Sequence, residues 1–172
     1  MDFKEIILKR RSVRKFSQGK VSKEKLQAVL TAGLLAPTSR NRKPCEFFVI
    51  EDSTLLKKLS LAKAAGSSFL ADAPSAIAVC ADSEKADTWV EDSSIALTHM
   101  HLAAVEEALS SCWIQIHLRS AKNGSDSEKI IRELLGLSEN YRIVGLLALG
   151  NSCETPCPHT PDDADFTKVH WL

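Results

Sequence analysis

The segment Thr88–Ser110, TWVEDSSIALTHMHLAAVEEALS, most narrows what this chain can fold into. Its spacing predicts a helix about 30 Å long. The middle of that helix, IALTHMHLAAV, is apolar around almost its whole circumference. Such a helix needs cover on most sides, from the domain core or from a second copy of the chain. With 172 residues, 44% of them hydrophobic, the chain is long enough to supply that cover. A single domain over residues 1–172 is therefore expected.

The flanking segments alternate between helix and strand signals. Asp2, with Glu5 three positions on, reads as an N-terminal cap, and Phe3, Ile6 and Ile7 give that helix an apolar face. Ser22 caps a second helix, in which Leu26, Val29, Leu30, Gly33 and Leu34 recur at helical spacing, and which must end before Pro37. APTSRNRKP follows as a loop of turn formers. Strands are expected at 46–52, 75–81, 112–118 and 141–150. Shorter helices are expected at 53–61 and 125–136, the latter ending at Gly136. From about residue 150 to 172 the chain should form an irregular tail, because Pro156, Pro158 and Pro161 bar regular helix and central strand. The pattern predicts an α+β or α/β three-layer domain without internal repeats.

The 22 basic and 22 acidic residues balance. That balance argues against a general nucleic-acid or anionic-membrane binder. No apolar run approaches the roughly 18 residues of a membrane span, and no signal peptide is recognisable. Five cysteines, an odd number, then read as reduced thiols of a cytoplasmic protein.

Against this neutral background, KRRSVRK at 9–15 packs five cations into seven positions. Lys9, Arg10 and Arg11 fall where cations complement the C-terminal end of the first helix. Arginine forks also match a phosphate, and Arg10, Ser12 and Arg14 could converge on one across a turn. No Walker or dinucleotide-binding glycine fingerprint is present, so side chains would have to hold such an anion.

RRSVRKF, then LLAPTSRNRKP, then WVEDSSIALTHMHLAAVEEALSSCWIQ, then LLALGNSCETP occur in an order that resembles the nitroreductase family of flavin enzymes, over nearly the whole chain. The resemblance implies a three-layer sandwich with a mixed, mostly antiparallel sheet flanked by helices. It also implies a homodimer whose C-terminal tail reaches the partner, and bound FMN. By the same resemblance Arg10, Arg11, Ser12 and Arg14 contact the FMN phosphate and ring edge. Pro37, Thr38, Ser39 and Asn41 approach from the other subunit, with Lys43 where the family usually carries glutamine. Backbone amides of Gln115 and Ile116 face the reactive ring edge, and Gly150 and His159 lie along the closing stretch. His159 and Cys157 stand where many relatives place a Lys or Arg. The implied activity is NAD(P)H-dependent reduction of nitroaromatic, quinone or similar acceptors by ping-pong hydride transfer, with no catalytic side chain. A flavin-binding or ligand-binding protein without turnover is the alternative.

Other candidates carry less. Cys153, Cys157 and His159 form a C-x3-C-x-H pattern without a fourth ligand, so no metal is expected. His99 and His101, two apart on a helix, face different directions. Asp92 is expected to cap or pair. Trp89, Trp113 and Trp171 are expected to pack.

Overall fold

The computed structural model describes all of residues 1–172. Helix α1 (Phe3–Lys9) starts at Asp2, whose side chain accepts from the Glu5 amide at 2.8 Å. Helix α2 (Lys23–Leu34) leads through the 37–43 loop into β1 (Cys45–Ile50). Helix α3 (Ser53–Ser60) and strand β2 (Ser75–Asp82) follow, then the long α4 (Trp89–Glu106). Strand β3 (Ser110–Gln115), helix α5 (Ser127–Leu135) and β4 (Tyr141–Gly150) complete the domain.

The four strands pair in the order β1-β2-β4-β3, antiparallel throughout. The parallel element of the expected mixed sheet is a single bridge, Ser12 to Ser111, on the outer edge of β3. β2 and β4 are central, so their side chains are buried on both faces rather than on alternate ones. Ala76, Ala78 and Cys80 pack on one face with Leu56, Leu59 and Ile131 from α3 and α5. Ile77, Val79 and Ala81 pack on the other with Leu26, Val29, Leu97 and Met100 from α2 and α4. This alternation gives three layers, helices–sheet–helices, as the sequence pattern predicted.

Two elements are displaced from the sequence reading. α4 stops at Glu106, not Ser110, because Ala108 turns left-handed (φ 54°) and the Leu109 amide reaches back to the Ala104 carbonyl at 2.7 Å. β3 starts two residues earlier than expected, since Ser110 pairs with Gly150, and it ends at Gln115. The Ile116 and His117 amides both donate to the Val144 carbonyl, and Leu118 (φ 59°) turns the chain away.

The two ends of the chain meet. The His159 amide donates to Leu8 O, Cys153 N to Lys15 O, and Ser17 N to Asn151 O. Phe16 and Ser152 form an antiparallel bridge. Beyond His159 the tail is exposed at every residue from Thr160 onward. Trp171, expected to pack, is 90% exposed in its own chain.

Candidate functional site

The basic segment lies against the start of β3. The Val13 amide donates to the Ser111 carbonyl at 3.0 Å, and Val13 is buried. This pairing anchors the backbone at position 13 and leaves Ser12 and Arg14 exposed on either side of it. Arg10, the C-cap of α1, is half-buried, and its Nη1 meets His101 Nε2 at 3.1 Å. Arg11 turns the other way and donates to the Cys157 carbonyl, so it ties down the tail. The Arg14 guanidinium lies over the Phe69 ring, 6.0 Å from its centroid.

Two further cations join this group that the linear sequence did not reveal. Lys63 follows α3, and Arg119 lies in the turn after β3. Burial lowers the Lys63 ammonium pKa, and Arg119 lowers it further by repulsion. The Cys112 thiol, on β3, is raised by burial; Arg14, Arg10 and Lys63 oppose that rise through their charge, as does a hydrogen bond from Ser12. None of the protein's ion pairs involves Arg10, Arg11, Arg14, Lys63 or Arg119. Three cations thus border one buried thiol, with Arg119 beside Lys63, and none of the four is ion-paired; the nearby Glu154 carboxylate accepts from the Arg14 backbone amide at 2.8 Å. An anion bearing two charges would relieve that repulsion. A phosphate fits this donor set.

Further along β3, the two expected amides differ. Ile116 N donates to Val144 O at 2.9 Å, so it is committed inside the sheet, which corrects its expected availability to a ligand. Ladder alternation turns the Gln115 amide to the opposite, outer edge of β3, the edge that the basic segment borders. The Gln115 side chain is fixed between Trp113 Nε1 (3.1 Å) and the His117 carbonyl (3.2 Å).

Gly150 is explained by packing. A Cβ there would come within 2.6 Å of Pro74 and 2.9 Å of Phe16. The His159 imidazole is 3.4 Å from Asp163, so its partner lies within the tail.

The 37–43 loop is built differently. Arg40, Asn41 and Lys43 all take positive φ (51°, 55° and 48°), a conformation costly for residues with a side chain. Asp92, buried on α4, holds the loop: its Oδ1 accepts from the Ser39 amide at 2.9 Å and its Oδ2 from Thr88. Thr38 Oγ1 accepts from the Lys43 amide at 3.1 Å, and Pro37 is exposed. Asp92 and His101 are nine residues apart on α4, about 13 Å along its axis. The loop and the basic segment therefore do not meet within one chain.

His101 is buried and neutral. Desolvation, then the neighbouring Arg10 charge, depress its pKa from 6.5 to about 4. The unfolded chain therefore takes up a proton below pH 6.5 that the folded chain refuses. Folding stability is full above pH 6.5 and should fall by about 3 kcal/mol as the pH drops to 4. Chemical denaturation across that range checks this, and the His101→Gln variant should show a shallower loss.

No helix is long and apolar enough to cross a membrane. The model of the "Nitroreductase family" matches residues 7–69 and 60–151. A protein of Archaeoglobus fulgidus named "Putative NADH dehydrogenase/NAD(P)H nitroreductase" is 36% identical over 168 residues, 95% of this chain and 88% of that protein. The solved structure of an FMN-dependent nitroreductase from Clostridium difficile superposes with a TM-score of 0.93 at 40% identity, covering 96% of each chain. A structure from Desulfovibrio desulfuricans, solved in complex with FMN, shares the fold at a TM-score of 0.73 and 24% identity, over 88% of this chain and 86% of that one. Four motifs in order, an antiparallel sheet between two helical layers, a cation group at its edge and these matches lead to one conclusion: the chain belongs to the nitroreductase family.

Proposed function

We propose that this protein is an FMN-dependent oxidoreductase that takes electrons from NAD(P)H and passes them to a nitroaromatic, quinone or similar acceptor. The observation that carries this reading is the group of cations around Cys112 and Ser12, none of which is in an ion pair. A solved structure 40% identical to it is described as FMN-dependent, and the Archaeoglobus relative carries an NAD(P)H name. FMN, when bound, supplies the site that accepts and returns a hydride.

The chain's own residues would bind and orient it. Arg10, Arg14, Lys63 and Arg119 neutralise the phosphate, and Ser12 adds a hydroxyl donor. The outward Gln115 amide would offer a bound flavin a fixed dipole favouring the negative charge that grows on reduction. No side chain is needed as nucleophile or general acid, so the protein's contribution is position and electrostatics.

The working unit in this reading is a homodimer. The strained 37–43 loop, too far from Arg10 in its own chain, would complete the site of the partner. The tail's exposed Phe166, Val169 and Trp171 would then find cover on the second subunit.

The test is purification followed by visible absorbance and steady-state kinetics. A yellow protein that oxidises NADH or NADPH and gives parallel double-reciprocal lines with a quinone or nitroaromatic is expected. Protein that neither carries nor takes up FMN would overturn the proposal. Uptake of FMN without oxidation of either nucleotide would replace it with the binding-only alternative.

A further inference from the structure

Resting on the flavin reading, we infer that His101 is a positioning residue that holds the Arg10 guanidinium in the orientation that grips the phosphate. Arg10 is the extended C-cap residue that follows the seven-residue α1, and its long side chain has no carboxylate partner. Left free, it would lose rotamer entropy each time it met a ligand. His101 removes part of that cost beforehand by fixing Nη1 at 3.1 Å, while Nε and Nη2 have no hydrogen-bond partner in the chain.

The hydrogen-bond chemistry permits only one arrangement. Guanidinium has donors and no acceptor, so His101 Nε2 must carry a lone pair. The proton then sits on Nδ1, which donates to Ser111 Oγ at 2.5 Å. Ser111 is itself buried, and its carbonyl receives the Val13 amide. One residue of β3 therefore anchors the basic segment on both sides of Ser12: the backbone directly at Val13, and the Arg10 side chain through His101. A buried histidine serving only to fill the core would need neither the arginine contact nor this tautomer.

The experiment compares FMN with riboflavin, which lacks the phosphate, on the full-length chain by flavin fluorescence titration. The unsubstituted protein should prefer FMN by at least about 100-fold. His101→Leu, similar in volume but without an acceptor, should lower FMN affinity about tenfold and leave riboflavin affinity unchanged. His101→Gln, which restores an acceptor and a donor, should recover most of the loss. In an Arg10→Met background, His101→Leu should add nothing.

Equal weakening of FMN and riboflavin by His101→Leu, or no weakening of either, overturns the inference while the phosphate reading stands. Equal affinity of the unsubstituted protein for both flavins overturns the phosphate reading, and the inference with it. Should His101→Leu not fold, Ser111→Ala, which removes the partner that sets the tautomer, decides by the same comparison. An FMN-selective loss supports the role, and an unselective loss or none overturns it.

Discussion

Replacing Arg10 and Arg14 together by glutamine should lower FMN affinity by about 10³-fold and leave riboflavin affinity nearly unchanged. A hydrogen bond to a charged group contributes about 1.5–3 kcal/mol, so two of them correspond to roughly 10²–10⁴ in affinity. The middle of that range is expected because Lys63 and Arg119 remain to share the phosphate charge. Stability should hardly change. Arg14 is exposed and neither arginine is in an ion pair, so no buried charge is left unpaired. The comparison is made by flavin titration at two salt concentrations, with thermal unfolding alongside. The salt dependence of FMN binding should flatten in the double variant, since fewer cations take part. Undiminished FMN retention with both guanidinium groups gone would place the phosphate elsewhere.

The second large effect concerns stability. Glu128→Ala should destabilise the fold by about 3 kcal/mol, a fall of about 6–12 °C in Tm. Glu128 reads in the sequence as an acidic residue in the first turn of α5, where it complements the helix dipole. The structure buries it to 2% exposure and surrounds it with donors. Arg142 reaches it through Nε and Nη2 at 2.9 and 3.0 Å, the Ile143 amide at 3.0 Å, and His117 Nδ1 at 2.7 Å. Burial alone would raise its pKa, but the donors from Arg142, Ile143 and His117 outweigh it and hold the carboxyl below its usual range. Removing the carboxylate strands a guanidinium, an amide and an imidazole together. Arg142 retains contact with the Trp89 ring at 4.7 Å and partial access to water, which keeps the loss near the low end for a broken buried pair. Glu128→Gln should recover part of it. A Tm within 2 °C of the unsubstituted protein would show that the network contributes little.

The sequence was most informative where one physical requirement dominated. IALTHMHLAAV had to be enclosed, and α4 is packed against α2 and the sheet. YRIVGLLALG was read to the residue as β4, because an apolar run between turn residues has few other options. The start of β3 was hidden because Ser110 and Ser111 carry no strand signal, and only pairing with Gly150 and Leu149 places them in the sheet. The end of α4 was hidden because no glycine marks the left-handed turn that Ala108 supplies. In the candidate site, the arginines near the N-terminus were visible as a charge cluster. Lys63, Arg119 and His101 were not, since only the tertiary fold brings positions tens of residues apart to one edge of β3. His159 stood at a promising place in the tail, yet its imidazole lies 3.4 Å from Asp163, four residues on.

The pairing of residues 8–17 with 151–159 has a consequence for the order of folding. Arg11 reaches the Cys157 carbonyl across 146 positions of the chain. Closing so long a loop costs entropy that only the assembled sheet repays, so the opening stretch should dock late and be the first to lose amide protection when the fold opens.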